Sequence, residues 1–156
     1  MSRRKKTTKR ELEVDYKYGK KLVTKLINYV MRDGKKDVAR NIVYRALDLV
    51  QDKTKLNPAE IFEEAVNNSR PYMQVKSRRV GGATYPVPME VSQDKSIAFA
   101  LKWMVEGVEE RPLKDAVKDL AQIIIDSHNN TGFVVKKRDE MHRQAEANKA
   151  FAHFRW

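Results

Sequence analysis

Apolar residues recur at helical spacing through most of this chain. Between residues 18 and 31 they fall at Tyr18, Leu22, Leu26 and Val30, and again at Val23, Ile27 and Met31, which is the spacing of one helical face. Asp33-Gly34 ends that run, and Val38, Ile42, Ala46, Leu49 and Val50 predict a second helix over residues 35–51. Asn57-Pro58-Ala59-Glu60 supplies an N-cap residue, a proline at the first helical position and an acid three residues after the cap. A third helix therefore starts there and buries Ile61, Phe62, Ala65 and Val66, until Asn67-Asn68-Ser69-Arg70-Pro71 breaks the pattern. Ile97, Leu101, Met104, Val105 and Val108 predict a fourth helix after Ser92, ending before Arg111-Pro112. Leu113, Val117, Leu120 and Ile124 predict a fifth, reaching about Asn129. A sixth, capped by Thr131, runs toward Phe151 with a thin stripe of Val134, Met141 and Ala145. Trp103 lies off the fourth stripe, where it either fills a gap between helices or offers a platform for a stacked base.

One stretch breaks the helical period. Residues 75–91 read Val-Lys-Ser-Arg-Arg-Val, then Gly81-Gly82, then Ala-Thr-Tyr-Pro-Val-Pro-Met-Glu-Val, which predicts a β-hairpin. With Gly81-Gly82 as a two-residue turn, Lys76, Arg78, Tyr85 and Val87 share one face while Ser77, Arg79, Thr84 and Pro86 share the other. Pro86 and Pro88 lie two apart, so their missing N–H donors fall on one edge, which then pairs with nothing. A lone ribbon is marginal in water, and bases on both faces suit an arm that settles on an external partner. The other reading is a short hairpin packed on the body with its bases in solvent.

Charge adds what the hydropathy pattern cannot. The formal net charge is +11, and it is unevenly placed. Residues 1–10 hold six bases and no acid, Lys76, Arg78 and Arg79 add three more, and residues 136–156 hold six bases against three acids. The remainder is close to neutral. Two basic ends and one basic ribbon point to a polyanion held at several places. The first ten residues have nothing to bury and read as a basic arm; a solubilising tail or an Arg- and Ser-bearing transit peptide would share that composition. Lys35 and Lys36 fall at the start of the second helix, where exposed N–H groups and the positive dipole end favour a phosphate, unless this is only a polar turn. Phe151, Phe154 and Trp156 beside bases suit stacking on nucleobases or packing against another protein.

Catalytic and metal chemistry find no carrier. No Gly-x-x-x-x-Gly-Lys loop, Gly-x-Ser-x-Gly turn or histidine pair at ligand spacing is present, and His128, His142 and His153 are scattered. There is no cysteine, so thiolate sites and disulfides are excluded, and no apolar run is long enough to span a membrane. The expectation is a non-enzymatic protein of the cytosol, without metal or cofactor.

Two longer motifs carry a resemblance. Lys76-Ser-Arg-Arg-Val-Gly-Gly-Ala-Thr-Tyr85 and Met141-His-Arg-Gln-Ala-Glu-Ala-Asn-Lys-Ala-Phe-Ala-His-Phe-Arg-Trp156 resemble the signatures of the small-subunit ribosomal protein seven family, bacterial type. Met31-Arg-Asp-Gly-Lys-Lys36 resembles that family's first interhelical loop, and the likeness runs the full length. It implies a mainly α fold: about six helices with a protruding two-stranded hairpin between the third and fourth and a disordered basic N-terminal arm. The chain is then one domain over residues 1–156, with the arm over 1–11, the hairpin over 72–91 and a basic helix and tail over 131–156.

The resemblance also implies a structural role in the small ribosomal subunit, in a bacterial or an organellar ribosome. Family members are primary binders of the 3′ domain of the small-subunit ribosomal RNA, nucleate head assembly, and lie near the exit-site transfer RNA and the messenger path. By that likeness Arg3, Arg4, Lys5, Lys6, Lys9 and Arg10 thread into ribosomal RNA, and Lys35 and Lys36 meet its phosphates. Lys76, Arg78 and Arg79 follow the RNA surface, as do Lys136, Lys137, Arg138 and Arg143 of the last helix. Gly81 and Gly82 approach the transfer RNA. Lys149, Phe151, Phe154 and Trp156 contact a neighbouring protein, the eleventh of the subunit, and the ninth is a further neighbour. One departure is visible: Pro86 stands where the family commonly has glutamine, which removes a donor and an amide from the ribbon's outer edge.

A DNA-architectural protein is the rival, since a helical body with a basic ribbon also describes proteins that embrace the minor groove. Such arms carry an apolar wedge at the tip, whereas Val80-Gly-Gly-Ala83 has little to intercalate. The two motifs favour RNA.

Overall fold

In the computed structural model, which describes residues 11–111 and 115–154, the elements follow the order that periodicity predicts. They are α1 (Lys21–Val30), α2 (Lys36–Thr54), α3 (Pro58–Ser69), β1 (Met73–Val80), β2 (Ala83–Glu90), α4 (Gln93–Glu110), α5 (Ala116–His128) and α6 (Gly132–Ala147), followed by a 3₁₀ turn, η1 (Lys149–Phe154). The helical core joins Val23, Leu26, Val43, Leu47, Phe62, Val66, Leu101, Met104, Leu120, Ile124 and Val134, each at most 1% exposed. α5 is its axis and packs on α2, α3, α4 and α6. Gly107 lets α4 approach closely, because a Cβ there would lie 2.9 Å from the Phe133 ring.

The helix ends show local chemistry overriding the apolar stripe. α1 begins at Lys21 and not at Tyr18, because Asp15 builds a turn first: its carboxylate accepts from the backbone N–H of Lys17 and Tyr18, and its carbonyl from Gly19. Asn57 caps α3 through the N–H of Ala59 at 3.1 Å, and its amide also donates to Glu60. Asp115 caps α5. Leu113, expected in that helix, lies outside the described residues. Thr131 occupies the N-cap position of α6, yet its hydroxyl donates back to the Asp126 carbonyl and caps nothing. α6 also stops at Ala147, short of the expected Phe151. The Asn148 side chain takes the Gln144 carbonyl there, and the chain tightens into η1. Trp103 is 7% exposed with its ring 5.6 Å from Phe99, so it fills a gap between helices and is no platform for a base.

The ribbon has the expected register. Val80 pairs with Ala83 across Gly81-Gly82, both at positive φ (57° and 91°), and Arg78 faces Tyr85 while Ser77 faces Pro86. A type I′ hairpin turn needs that left-handed backbone at both positions, which glycine adopts without strain. β1 and β2 form a two-stranded sheet. The ribbon protrudes only at its tip, however. Its base packs on α6 and η1, with Val87 and Pro88 buried, so it settles on the body as well as offering itself to a partner. Burying a valine of this size contributes roughly 1.5–3 kcal/mol, enough to seat a ribbon that would not stand alone.

Candidate nucleic-acid interface

Two basic clusters emerge from the packing. The first, Lys35 and Lys36 of the α1–α2 loop, borders a groove of mixed charge that Lys36 and Arg40 share with Glu11, Glu13 and Asp15. Lys35 occupies the N-cap position of α2 and Lys36 its first turn; both are exposed, and their backbone N–H groups donate to the carbonyls of Arg32 and Gly34, so what they offer outward is their ammonium groups. Tyr16, 79% exposed, lies beneath the Arg40 guanidinium. Arg3, Arg4, Lys5, Lys6, Lys9 and Arg10 fall outside the described residues.

The second cluster is the ribbon with α6 and η1. Its root is held at three points. Arg70 donates to Ser96 of α4 at 2.9 Å, the Val91 N–H donates to the Tyr72 carbonyl, and the Tyr72 N–H donates to Nε2 of His142 on α6 at 3.1 Å. Burial, reinforced by the Arg138 charge and opposed by Asp139, lowers the His142 pKa from its ordinary 6.5 and keeps that nitrogen an acceptor. Lys76 and Arg79 are exposed and Arg78 is half-buried beside Tyr85. Phe151 and Phe154 both rest against the Tyr85 ring. Trp156 lies outside the described residues.

Pairing separates the bases further. Lys17 binds Asp48, Lys20 binds Glu63 and Arg111 binds Asp126. Among the described residues, Lys35, Lys36, Lys76, Arg78, Arg79, Lys136 and Arg143 make no ion pair or side-chain hydrogen bond. They are free to meet an external anion, as are Lys21, Lys25, Arg45, Lys55, Lys95 and Lys102 elsewhere on the body. Three expected contacts are partly engaged: Lys137 with Glu106 at 3.4 Å, Arg138 with the Asn68 carbonyl and Asp139, and Lys149 with Glu146. Arg138 thereby ties α6 to the end of α3.

The apolar stripes pointed away from a third group. Lys21, Lys25 and Tyr29 run along the outer face of α1 at four-residue spacing, and Lys25 and Tyr29 border a groove with Asp94, Ile97 and Leu101 of α4. Lys102 opens on the adjoining groove. The same four-residue period, read on the polar side, would have found them. α1 packs on α2 and α4, α4 on α6, and α6 on β1, so this seam joins the two clusters through successive contacts.

No group of histidine and acid side chains that could hold a metal occurs among the described residues, and none of the described helices is long and apolar enough to cross a membrane. Body and ribbon together define a class: a helical scaffold presenting unpaired bases on a loop and a β-ribbon. The family described as Ribosomal protein S7p/S5e matches residues 2–149, and the chain belongs to it. Similar proteins include the "Small ribosomal subunit protein uS7" of Dictyoglomus turgidum, 52% identical over 156 residues and the whole of both chains. That of Desulfatibacillum aliphaticivorans is 49% identical over 156 residues, again the whole of both. That of Thermotoga maritima is 48% identical over 154 residues and 99% of each. The protein is thus a structural, non-enzymatic component of the small ribosomal subunit, in the service of translation.

Proposed function

We propose that the protein is a primary binder of the 3′ domain of the small-subunit ribosomal RNA and nucleates assembly of the subunit head. The observation that carries this is the presence of unpaired, exposed bases at the loop and the ribbon: Lys35 and Lys36, and Lys76 and Arg79, make no ion pair, whereas Lys17, Lys20 and Arg111 of the body are held by acids. Phosphates recruited by unpaired bases release counterions without first breaking an internal ion pair. Lys136 and Arg143 extend the surface along α6, and Lys21, Lys25 and Lys102 along the α1–α4 seam. Arg3 to Arg10 supply an arm that threads between RNA helices. The turn Gly81-Gly82, bare of side chains, suits close approach to exit-site transfer RNA near the messenger path. The C-terminal segment from Lys149 to Trp156 faces the eleventh protein of the subunit, with the ninth a further neighbour, in a cytoplasmic ribosome. A minor-groove DNA grip is disfavoured by the same turn, which carries no wedge to open a base step.

Competition at fixed salt tests this. A 3′-domain ribosomal RNA fragment is matched against an unrelated structured RNA and duplex DNA, with the full chain and with residues 1–10 removed. A preference of about a hundredfold or more for the ribosomal fragment is expected, weakened by removal of the arm. Equal binding to all three would overturn the reading.

A further inference from the structure

Phe151 and Phe154 reach back across the ribbon. Their ring centroids lie 5.5 and 5.0 Å from that of Tyr85 and 6.5 Å from each other, so η1 and β2 share one three-ring cluster. η1 has no buried residue, yet it leans on β2 far more than on α6, the helix it leaves. Tyr85 lies on the ribbon face of Val87, which is fully buried, and directly opposite Arg78. Only residues 79–84 extend beyond that contact.

A two-stranded ribbon with prolines along its outer edge has little stiffness of its own. Its root is held by Arg70 and by His142, both at the end far from the tip. Between root and tip, the ring cluster sets the angle at which Arg78 and Arg79 are presented. We propose that η1 is a brace, and that Phe151 and Phe154 are positioning residues that hold the ribbon ready for RNA. The RNA half of this inference rests on the function proposed above; the brace itself does not. Fixing an arm before it binds removes an ordering cost from association, so the brace raises affinity without touching a phosphate.

The test uses the full chain with Phe151→Ala and Phe154→Ala combined, Tyr85→Ala, the triple variant, and Phe151→Tyr with Phe154→Tyr as the ring-keeping control. Amide exchange is followed at residues 76–79 and 84–87 and in the helices, alongside affinity for the 3′-domain RNA fragment at several salt concentrations. The paired alanine variant should exchange about tenfold or more faster in the ribbon with the helices unchanged. It should bind RNA about tenfold more weakly with the same salt slope, since no base is lost. The tyrosine control should behave as the parent, and the triple variant should lose nothing beyond Tyr85→Ala alone. Unchanged ribbon exchange would overturn the brace, and so would exchange that rises equally in the helices, or losses that add in the triple variant. If the parent shows no preference for the ribosomal fragment, the proposed function falls while ribbon exchange still decides the brace.

Discussion

Asp15 is an acid only 7% exposed, and its partners explain why the chain tolerates it. One carboxylate oxygen accepts from the Tyr44 hydroxyl at 2.7 Å, and the other from the N–H groups of Lys17 and Tyr18. Burial, with the bond to Asp15 next in importance, pushes the Tyr44 pKa up, so the hydroxyl stays a donor throughout the working range. Removing the carboxylate strands three donors. Asp15→Ala should therefore cost about 2 kcal/mol or more in urea denaturation, and Asp15→Asn, which keeps one acceptor oxygen, distinctly less. An alanine variant as stable as the parent would mean that water serves those donors. None of this was legible beforehand, because an acid in a polar turn gives no periodic signal and its burial is decided by a tyrosine far along the chain. Phe62 and Leu101 were legible, since an apolar residue on a repeating face has one place to go.

The same division holds for whole elements. Local signals placed the six α-helices, though not all of their ends: the Asn57-Pro58 start of α3 lies in four adjacent residues, and the Gly81-Gly82 turn fixes the ribbon's register through backbone geometry alone. What local signals missed was decided by remote neighbours. Thr131 had a carbonyl of the preceding helix within reach at 3.1 Å, and Phe151 left the helical path to meet Tyr85. The attachment of ribbon to helix is likewise non-local, and it carries a pH dependence. His142 accepts from the Tyr72 N–H, with the two rings 3.9 Å apart, and its folded-state pKa lies below 6.5. The unfolded or detached state therefore takes up a proton first as pH falls. The contribution of this contact is complete above about pH 6.5 and declines below it until the folded-state pKa is passed. Ribbon amides should exchange progressively faster, relative to the helices, between pH 7.5 and roughly pH 5. His142→Gln retains an acceptor that does not titrate, and should flatten that trend. A ribbon whose relative exchange is equally pH-dependent in both chains would remove His142 from the account.

At the scale of the molecule, the net charge of +11 says less than its distribution. Lys17 and Lys20 are neutralised by Asp48 and Glu63 before any ligand arrives, whereas Lys76, Arg78 and Arg79 have no acid partner among the described residues. Counterion release counts only charges that meet phosphate, and each phosphate contact contributes roughly 0.7–0.9 to the slope of log affinity against log salt. Replacing Lys76, Arg78 and Arg79 by glutamine should lower that slope by about 2 to 3, and removing residues 1–10 with their six bases by about 4 to 5. The two changes lie in separate clusters and should add. Replacing Lys17 and Lys20 by glutamine removes formal charge of the same sign and should leave the slope nearly unchanged. A slope that followed total charge, falling equally for paired and unpaired lysines, would show a polyanion held by the protein's general field. A slope that falls with the ribbon bases and not with Lys17 and Lys20 would show phosphates docked at the ribbon, because its bases carry no internal ion pair to be broken first.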